Sequence, residues 1–562
     1  MIDGTRRAGH PQRILIVGGV AGGATAAARL RRLDEAAEIV LFERGPHVSF
    51  ASCGVPYRVG GHVPDVEGLV LQTPESLARR YRLDVRVRHE VVGIERGKKS
   101  VTVRDLETGR TFEERYDALI LSPGGRPVIP DVPGAHDRRV LTVRSVEDAE
   151  RILALAKRGG RAVVVGGGFV GVEVAENLVH HGLAVTLVEA QRQVLGFLDP
   201  ELASYGREAL VRGGVEVLTS TKVTGFETGE RFSVVLEGGR SVDADLAILA
   251  IGVVPETGLA RDAGLALGAR GSIAVDAQMR TSDPSIFAVG DAVEIEHVVL
   301  GTRGAVMLAG PANRQARVAA DAVMGLASTY RGALATSIVR AFDVTLAATG
   351  ASARQLKEAG VPFRTVTVHA AHHVSWFPGA ADVHLTVHYG RDGRLLGAQA
   401  AGERGIDKRI DALATAIRHR ATVQDLVDEE LAYAPPFGAP KDPINLAGMV
   451  ASNDLSGLAP IVDVDGARAL LDGGAFLLDV RTPAEHARGA IEGATLIPVD
   501  DLRARLDELP RDRTIVVHCA VGRRGYVAQR LLMQRGFSAV NLTGGYASWS
   551  ARMGEASRRN PA

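Results

Sequence analysis

Cysteine is almost missing: the 562 residues hold two, Cys53 and Cys519, at opposite ends of the chain. That scarcity excludes a dense disulfide framework and fits a reducing compartment. Net charge is missing too, because 66 Lys+Arg balance 66 Asp+Glu. An even balance gives no support to a nucleic-acid partner. Long apolar runs are the third absence. Arg6-Arg7 ahead of Ile14 raises the question of a secretory signal. The run Ile14–Val17 is only a strand's length, however, and Gly18-Gly19 interrupts it. Nothing later approaches the ~20 apolar residues of a membrane span. A cytoplasmic protein with no membrane partner is expected.

Glycine, by contrast, is abundant at 65 residues and gathers behind apolar runs, as nucleotide-binding turns require. Hydrophobic residues at 46% and charged residues at 23% are ordinary for a globular chain. At roughly 100–200 residues per domain, the length predicts three or four domains.

Two segments share one design. RILIVGGVAGGATAAARLRRL from Arg13 leads to a strand ending at Glu43, and RAVVVGGGFVGVEVAENLVHHG from Arg161 leads to one ending at Glu189. Each has the strand–turn–helix–strand order of a Rossmann-like dinucleotide-binding unit. DALILSPGGRPVIP from Asp117 and DLAILAIGVVPET from Asp245 read as strands entering Pro/Gly crossovers. TSDPSIFAVGDAVE from Thr281 reads as a strand with Gly290-Asp291 at its tip. These returns predict a first nucleotide domain over residues 10–145 and 256–328, with a second, over 146–255, inserted in it. Residues 329–450 lack a nucleotide turn. After the linker-like NDLSGLAP from Asn453, a separate α/β module is expected over 456–555.

A dinucleotide needs a tight turn, close backbone approach to its pyrophosphate and a helix N-terminus aimed at the phosphates. Gly166, Gly168 and Gly171 fit that spacing, and Glu189 follows 18 residues later to take a ribose. An acid there repels a 2′-phosphate, so NADH is favoured, with nearby Arg192 leaving room for NADPH. The first turn puts Val20 where a middle glycine belongs. Its candidate cofactor contacts are Gly18, Gly19, Ala21, Gly22, Glu43 and Arg44. Ser122, Gly124 and Arg126 in the first crossover join them, with Gly290 and Asp291.

Cys53 lies in Ser49-Phe50-Ala51-Ser52-Cys53-Gly54-Val55-Pro56-Tyr57, just after Glu43. Taken alone, it reads either as a buried structural cysteine or as a thiol made reactive by a helix N-terminus or nearby cations. It has no neighbouring cysteine. A working thiolate here must therefore pair with an external thiol or pass through a sulfenic acid.

VGGVAGGATAAARLRRLDE, FERGPHVSFASCGVPY, GPANRQAR from Gly310 and LAYAPPFGAPKDPIN from Leu431 resemble the coenzyme A-disulfide reductases. These form the single-cysteine branch of the pyridine nucleotide-disulfide oxidoreductases. The resemblance covers about residues 12–450. It implies FAD in the first nucleotide domain, NAD(P)H in the second and an α+β dimerisation domain. It makes Cys53 the redox sulfur, paired with coenzyme A in a mixed disulfide. Arg29, Arg32, Ser49 and Ser52 then map to the coenzyme A pocket, although the family often has asparagine at position 52. A homodimer is implied, with Tyr433 reaching the partner's site. The family's second tyrosine falls in Ser375-Trp376-Phe377-Pro378-Gly379, where no phenol precedes the proline. The same region holds His369, His372, His373, His384 and His388. Strand alternation accounts for several of these, and no metal is expected.

LDVRTPAE from Leu478, GAIEGA from Gly489 and the cysteine closing IVVHC resemble a rhodanese domain over about 456–552. Cys519, Ala520, Val521, Gly522, Arg523 and Arg524 form its loop. Successive N–H groups, a following helix and both arginines favour an anionic persulfide there. Six positions suit sulfur; phosphatase relatives use a longer loop. Asp479 and Arg481 are assigned to holding the fold. The whole predicts an FAD-dependent NAD(P)H reductase of coenzyme A disulfide, coenzyme A persulfide or polysulfide, coupled to a module carrying sulfane sulfur. Its partners are small sulfur compounds and coenzyme A. The alternatives are an NADH oxidase or peroxidase working through a Cys53 sulfenic acid, and a flavin redox sensor with a docking module.

Overall fold

A computed structural model describes residues 12–554, so Arg6-Arg7 and the outer ends of the first and last expected domains lie outside the described residues. The chain forms two compact units. The first comprises the chain up to Gly166, Asn177–Leu187 and Lys222–Ala333; the second comprises Gly167–Glu176, Val188–Thr221 and the chain from Leu334.

The first unit is built on a parallel sheet. Its strand order is Ile286–Ala288, Ala118–Leu121, Arg13–Val17, Glu38–Glu43, Asp84–Val87. Ile14, Leu15 and Ile16 are fully buried, as a central parallel strand covered on both faces demands. Helices Ala21–Leu33 and Ala309–Val323 pack together, joined by Thr25 Oγ1 to Asn313 Oδ1 at 2.9 Å and Arg29 Nε to Asp321 Oδ1 at 2.8 Å. Between Ala118–Leu121 and Ile286–Ala288 the chain builds another parallel sheet, in which Arg161–Val165 pairs with Leu246–Leu249 and that strand with Val140–Thr142. One nucleotide fold is thus inserted in the other. The two Pro/Gly crossovers meet as an antiparallel pair, Gly125–Pro127 with Val253–Pro255.

The second unit holds an antiparallel sheet of order Ser337–Ala341, Val344–Gly350, Leu395–Gly402, Asp382–Tyr389, Arg364–Ala371, with helix Ile406–Arg418 against it. It also holds a C-terminal parallel sheet of order Ile461–Val462, Ala539–Leu542, Ile515–His518, Phe476–Asp479, Thr495–Leu496. Leu478, Ile515, Val517 and Leu532 fill the core of that sheet. Among the described residues no helix is long and apolar enough to cross a membrane.

Candidate active site

The first glycine turn closes on itself. Gly18 has φ +93°, and a Cβ there would overlap the Ser122 carbonyl oxygen; a Cβ at Gly23 would overlap the Gly18 carbonyl oxygen. Only glycine fits either position. Val20 caps helix Ala21–Leu33 without a side-chain hydrogen bond. Glu43, at its strand's end, takes the Gly19 and Gly45 N–H groups at 2.8 Å each, one on each oxygen. The carboxylate is therefore fixed beside the turn. Gly290 donates its N–H to the buried Gln315 Oε1 at 2.7 Å. This sets Asp291 in a one-turn helix, where burial pushes its carboxyl up and Arg144 opposes the shift.

Sequence reasoning missed Arg144. It carries no motif, and only the fold sets it among Arg44, Asp291, Glu43 and Glu256. Gly124, at φ +72°, makes room for it, since a Cβ there would sit 2.8 Å from Arg144 Nη2. Ser122 Oγ lies against Gly22, Arg44 is exposed, and Arg126 faces Glu256 at 4.0 Å. The turns and acids stand at C-terminal ends of adjacent parallel strands, where open α/β sheets take ligands. A ribose acid, a 13-residue helix start and a desolvated carboxylate with a cationic partner fit FAD.

The second turn repeats the logic with one informative difference. Gly166, at φ +106°, is pinned by the Ala250 carbonyl, which a Cβ would overlap. Glu189 takes the Gly167 and Gln191 N–H groups at 2.7 Å each. Gly171 is buried in helix Phe169–His181. A Cβ at Gly168 would meet nothing within 4 Å. The protein itself does not need glycine there; a pyrophosphate lying against the backbone does.

Cys53 is free and exposed, on the single turn Ser52–Gly54 that leads into helix Val55–Val59. The turn is anchored to the nucleotide site, because Ser49, at φ +49°, donates its N–H to the Gly19 carbonyl at 2.8 Å. Gly54 N–H closes back on Ala51 O at 2.9 Å. Exposure disposes of the reading as a buried structural cysteine. Ser52 is exposed beside it. Arg29 is already engaged by Asp321, Nε and Nη2 each 2.8 Å from the carboxylate, whereas Arg32 on the same helix is exposed.

In the second unit, Tyr433 is half-exposed and Trp376 is 71% exposed. His369 and His384 meet across paired strands at 2.7 Å, and His388 meets Asp199 at 2.8 Å. His372 and His373 bond to the carbonyls of Ala381 and Val374. Among the described residues no group of three or more His, Cys, Asp or Glu is placed to hold a metal ion.

Cys519 is 1% exposed, at the tip of Ile515–His518. Its Sγ accepts the Gly522 N–H at 3.1 Å. Gly522, at φ +94°, starts the 12-residue helix Arg523–Gln534. Sulfur at this position faces the Gly522 N–H and a helix N-terminus, which favour an anion. Arg523 is exposed. Arg524 does not stand as an unpaired cation: Glu485 grips its guanidinium at 2.6 and 2.7 Å. That pairing drops the Glu485 carboxyl to about 2. Behind the loop, buried Asp479 binds Arg481 at 2.7 Å and His486 at 2.8 Å, and Arg481 lies over the Tyr546 ring. His518 is wholly buried, and burial pulls its imidazole down to about 4, so it is neutral at pH 7.

Fold and site together define a class: an α/β flavoprotein with two nucleotide folds, a solitary exposed thiol tied to the first glycine turn and a second, buried thiol in a loop that opens a helix. The profile of the pyridine nucleotide-disulphide oxidoreductases matches residues 12–316, and that of their dimerisation domain matches 336–442. The profile of rhodanese-like domains matches 463–552. The chain belongs to the pyridine nucleotide-disulphide oxidoreductases and carries a rhodanese-like domain. The structure of reduced Bacillus anthracis CoADR-RHD is 43% identical, with a TM-score of 0.95 over 98% of this chain and 99% of that one. A NAD-dependent persulfide reductase from A. fulgidus is 36% identical, with a TM-score of 0.89 over 96% and 100%. The coenzyme A disulfide reductase of Staphylococcus epidermidis is 35% identical over 443 residues, 78% of this chain and 99% of that protein.

Proposed function

We propose that the protein is an NAD(P)H-dependent reductase of coenzyme A disulfide and coenzyme A persulfide, working through Cys53, with Cys519 carrying sulfane sulfur. One observation carries the reading: a solitary exposed thiol is tied through Ser49 and Gly19 to the first nucleotide turn. The Cys53 thiolate attacks one sulfur of coenzyme A disulfide, forming a Cys53–coenzyme A mixed disulfide and releasing one coenzyme A thiolate. From coenzyme A persulfide the same attack, on the coenzyme A sulfur, releases hydrosulfide. Bound FAD would supply two-electron transfer from NAD(P)H, and two electrons with one proton delivered to the mixed disulfide free coenzyme A and restore the Cys53 thiolate. Glu43 and Asp291 fit the FAD site; Gly168 and Glu189 fit the nicotinamide nucleotide, with NADH preferred. Arg32, Ser49 and Ser52 are assigned to coenzyme A, and Arg29 contributes once it exchanges Asp321 for a phosphate.

The working form is a cytoplasmic homodimer. A dimerisation profile and the exposed aromatics Trp376, Tyr433 and Phe437 support it. Anaerobic rapid mixing tests the proposal. NADH bleaches the flavin, and coenzyme A disulfide or persulfide restores its colour in the native protein but not in Cys53→Ser. Recolouring by oxygen alone would make the protein an oxidase instead.

A further inference from the structure

The Cys519 loop leans on a second turn. Tyr546 and Ala547 donate their N–H groups to the carbonyls of Cys519 and Ala520 at 2.8 and 2.9 Å. Asn541 Nδ2 holds the Gly522 carbonyl at 3.1 Å. A Cβ at Gly545 would overlap the Cys519 carbonyl, so the two turns are in direct contact. With those carbonyls occupied, the Gly522 N–H is left directed at the sulfur.

That second turn is gripped from outside the rhodanese-like domain. Strand Arg364–Ala371 is the edge of the dimerisation sheet, with N–H and C=O groups to satisfy. Thr367 donates its N–H to Thr543 Oγ1 at 2.8 Å, and Thr543 Oγ1 donates back to the Thr367 carbonyl at 3.0 Å. Two residues along the same edge, His369 Nε2 lies 3.0 Å from Ser548 Oγ, and a Cβ at Gly544 would come within 2.9 Å of that nitrogen. His384 holds the other side of His369, Nδ1 to Nδ1 at 2.7 Å, and is itself stacked on Tyr205 at 4.0 Å. Ser548 is buried, which bars it from acting as a nucleophile toward substrate.

We propose that Thr367, through Thr543, and His369, through Ser548, are positioning residues of the dimerisation sheet for the sulfur-carrying loop. The edge strand thereby shapes a site two turns away that it never touches. This rests on the reading of Cys519 as a sulfur carrier. Other bonds keep the domain seated when this grip is cut: Arg552 pairs with Glu201 at 3.3 Å, and Ile461 N–H bonds to Asp454 at 3.0 Å.

The test uses the full-length holoenzyme with thiosulfate and cyanide. The Cys519 thiolate takes the outer sulfur of thiosulfate, releasing sulfite, and cyanide removes it as thiocyanate. Thr543→Val and His369→Phe are expected to lower kcat for transfer by about ten- to a hundredfold, the scale of a misplaced reacting group. NADH-dependent reduction of coenzyme A disulfide stays unchanged, and Thr543→Ser restores transfer. Iodoacetamide labelling of Cys519 should slow in Thr543→Val, because its sulfur loses its N–H partner. A domain that merely loosened would expose the buried thiol and label faster, which overturns the proposal. So would transfer within twofold of the native rate. A native enzyme whose transfer survives Cys519→Ala, or that shows none, overturns the sulfur-carrier reading beneath it.

Discussion

Glycines of one motif do different work, and the difference is measurable. Gly23 is needed by the fold, since any side chain there collides with the Gly18 carbonyl. Gly168 faces open space, so a side chain there would meet only a ligand lying against the backbone. Gly168→Ala is therefore expected to melt at the native temperature while raising the KM for NADH by about tenfold, the effect of roughly 1.4 kcal/mol of lost binding. Gly23→Ala should fail to fold around flavin. Thermal melts and initial rates with varied NADH check both. The glycines, Glu43, Glu189 and both cysteines were legible in the sequence because backbone geometry and thiol chemistry restrict those positions to few residue types. Arg144 was not, because one arginine among many gains meaning only when the fold puts it beside Asp291. The Glu485 grip on Arg524 was hidden for the same reason: 39 residues separate the pair.

Among elements, the strands and nucleotide turns followed from apolar runs and glycine spacing. The seam between the edge strand Arg364–Ala371 and the turn at Thr543 did not, since threonine and histidine carry no periodic signal and their partners lie 176 and 179 residues away. That seam and the neighbouring loop have a pH signature. Burial holds His384 and His518 at about 4, below the ordinary 6.5. Unfolding frees both rings, which then bind protons below about 6.5, while the folded state refuses them until about 4. Stability is therefore complete above pH 6.5 and falls as pH drops from 6.5 toward 4, by about 1.4 kcal/mol per pH unit for each ring. Calorimetry at pH 7.5 and pH 5.5 should show the melting temperature moving down on acidification, and less so in His384→Gln. An unchanged transition would mean that these rings are solvated.

At the scale of the molecule, the insertion of one nucleotide fold in another was readable because the chain returns to its first sheet with a recognisable strand and a Gly-Asp tip. Two thiols now stand in contrasting settings, Cys53 exposed on a turn tied to the flavin site and Cys519 buried beneath an anion-binding loop. On the proposed function that contrast divides the labour: a thiol open to large disulfides would accept electrons, and a shielded one would store sulfur as an anion. The most direct measurement is the mass of the peptide containing Cys53, taken from protein treated with coenzyme A disulfide in the absence of NADH. One coenzyme A is expected, attached through sulfur to Cys53, released on adding NADH and absent from Cys519. A Cys53 left unmodified, or coenzyme A found on Cys519 alone, would contradict it.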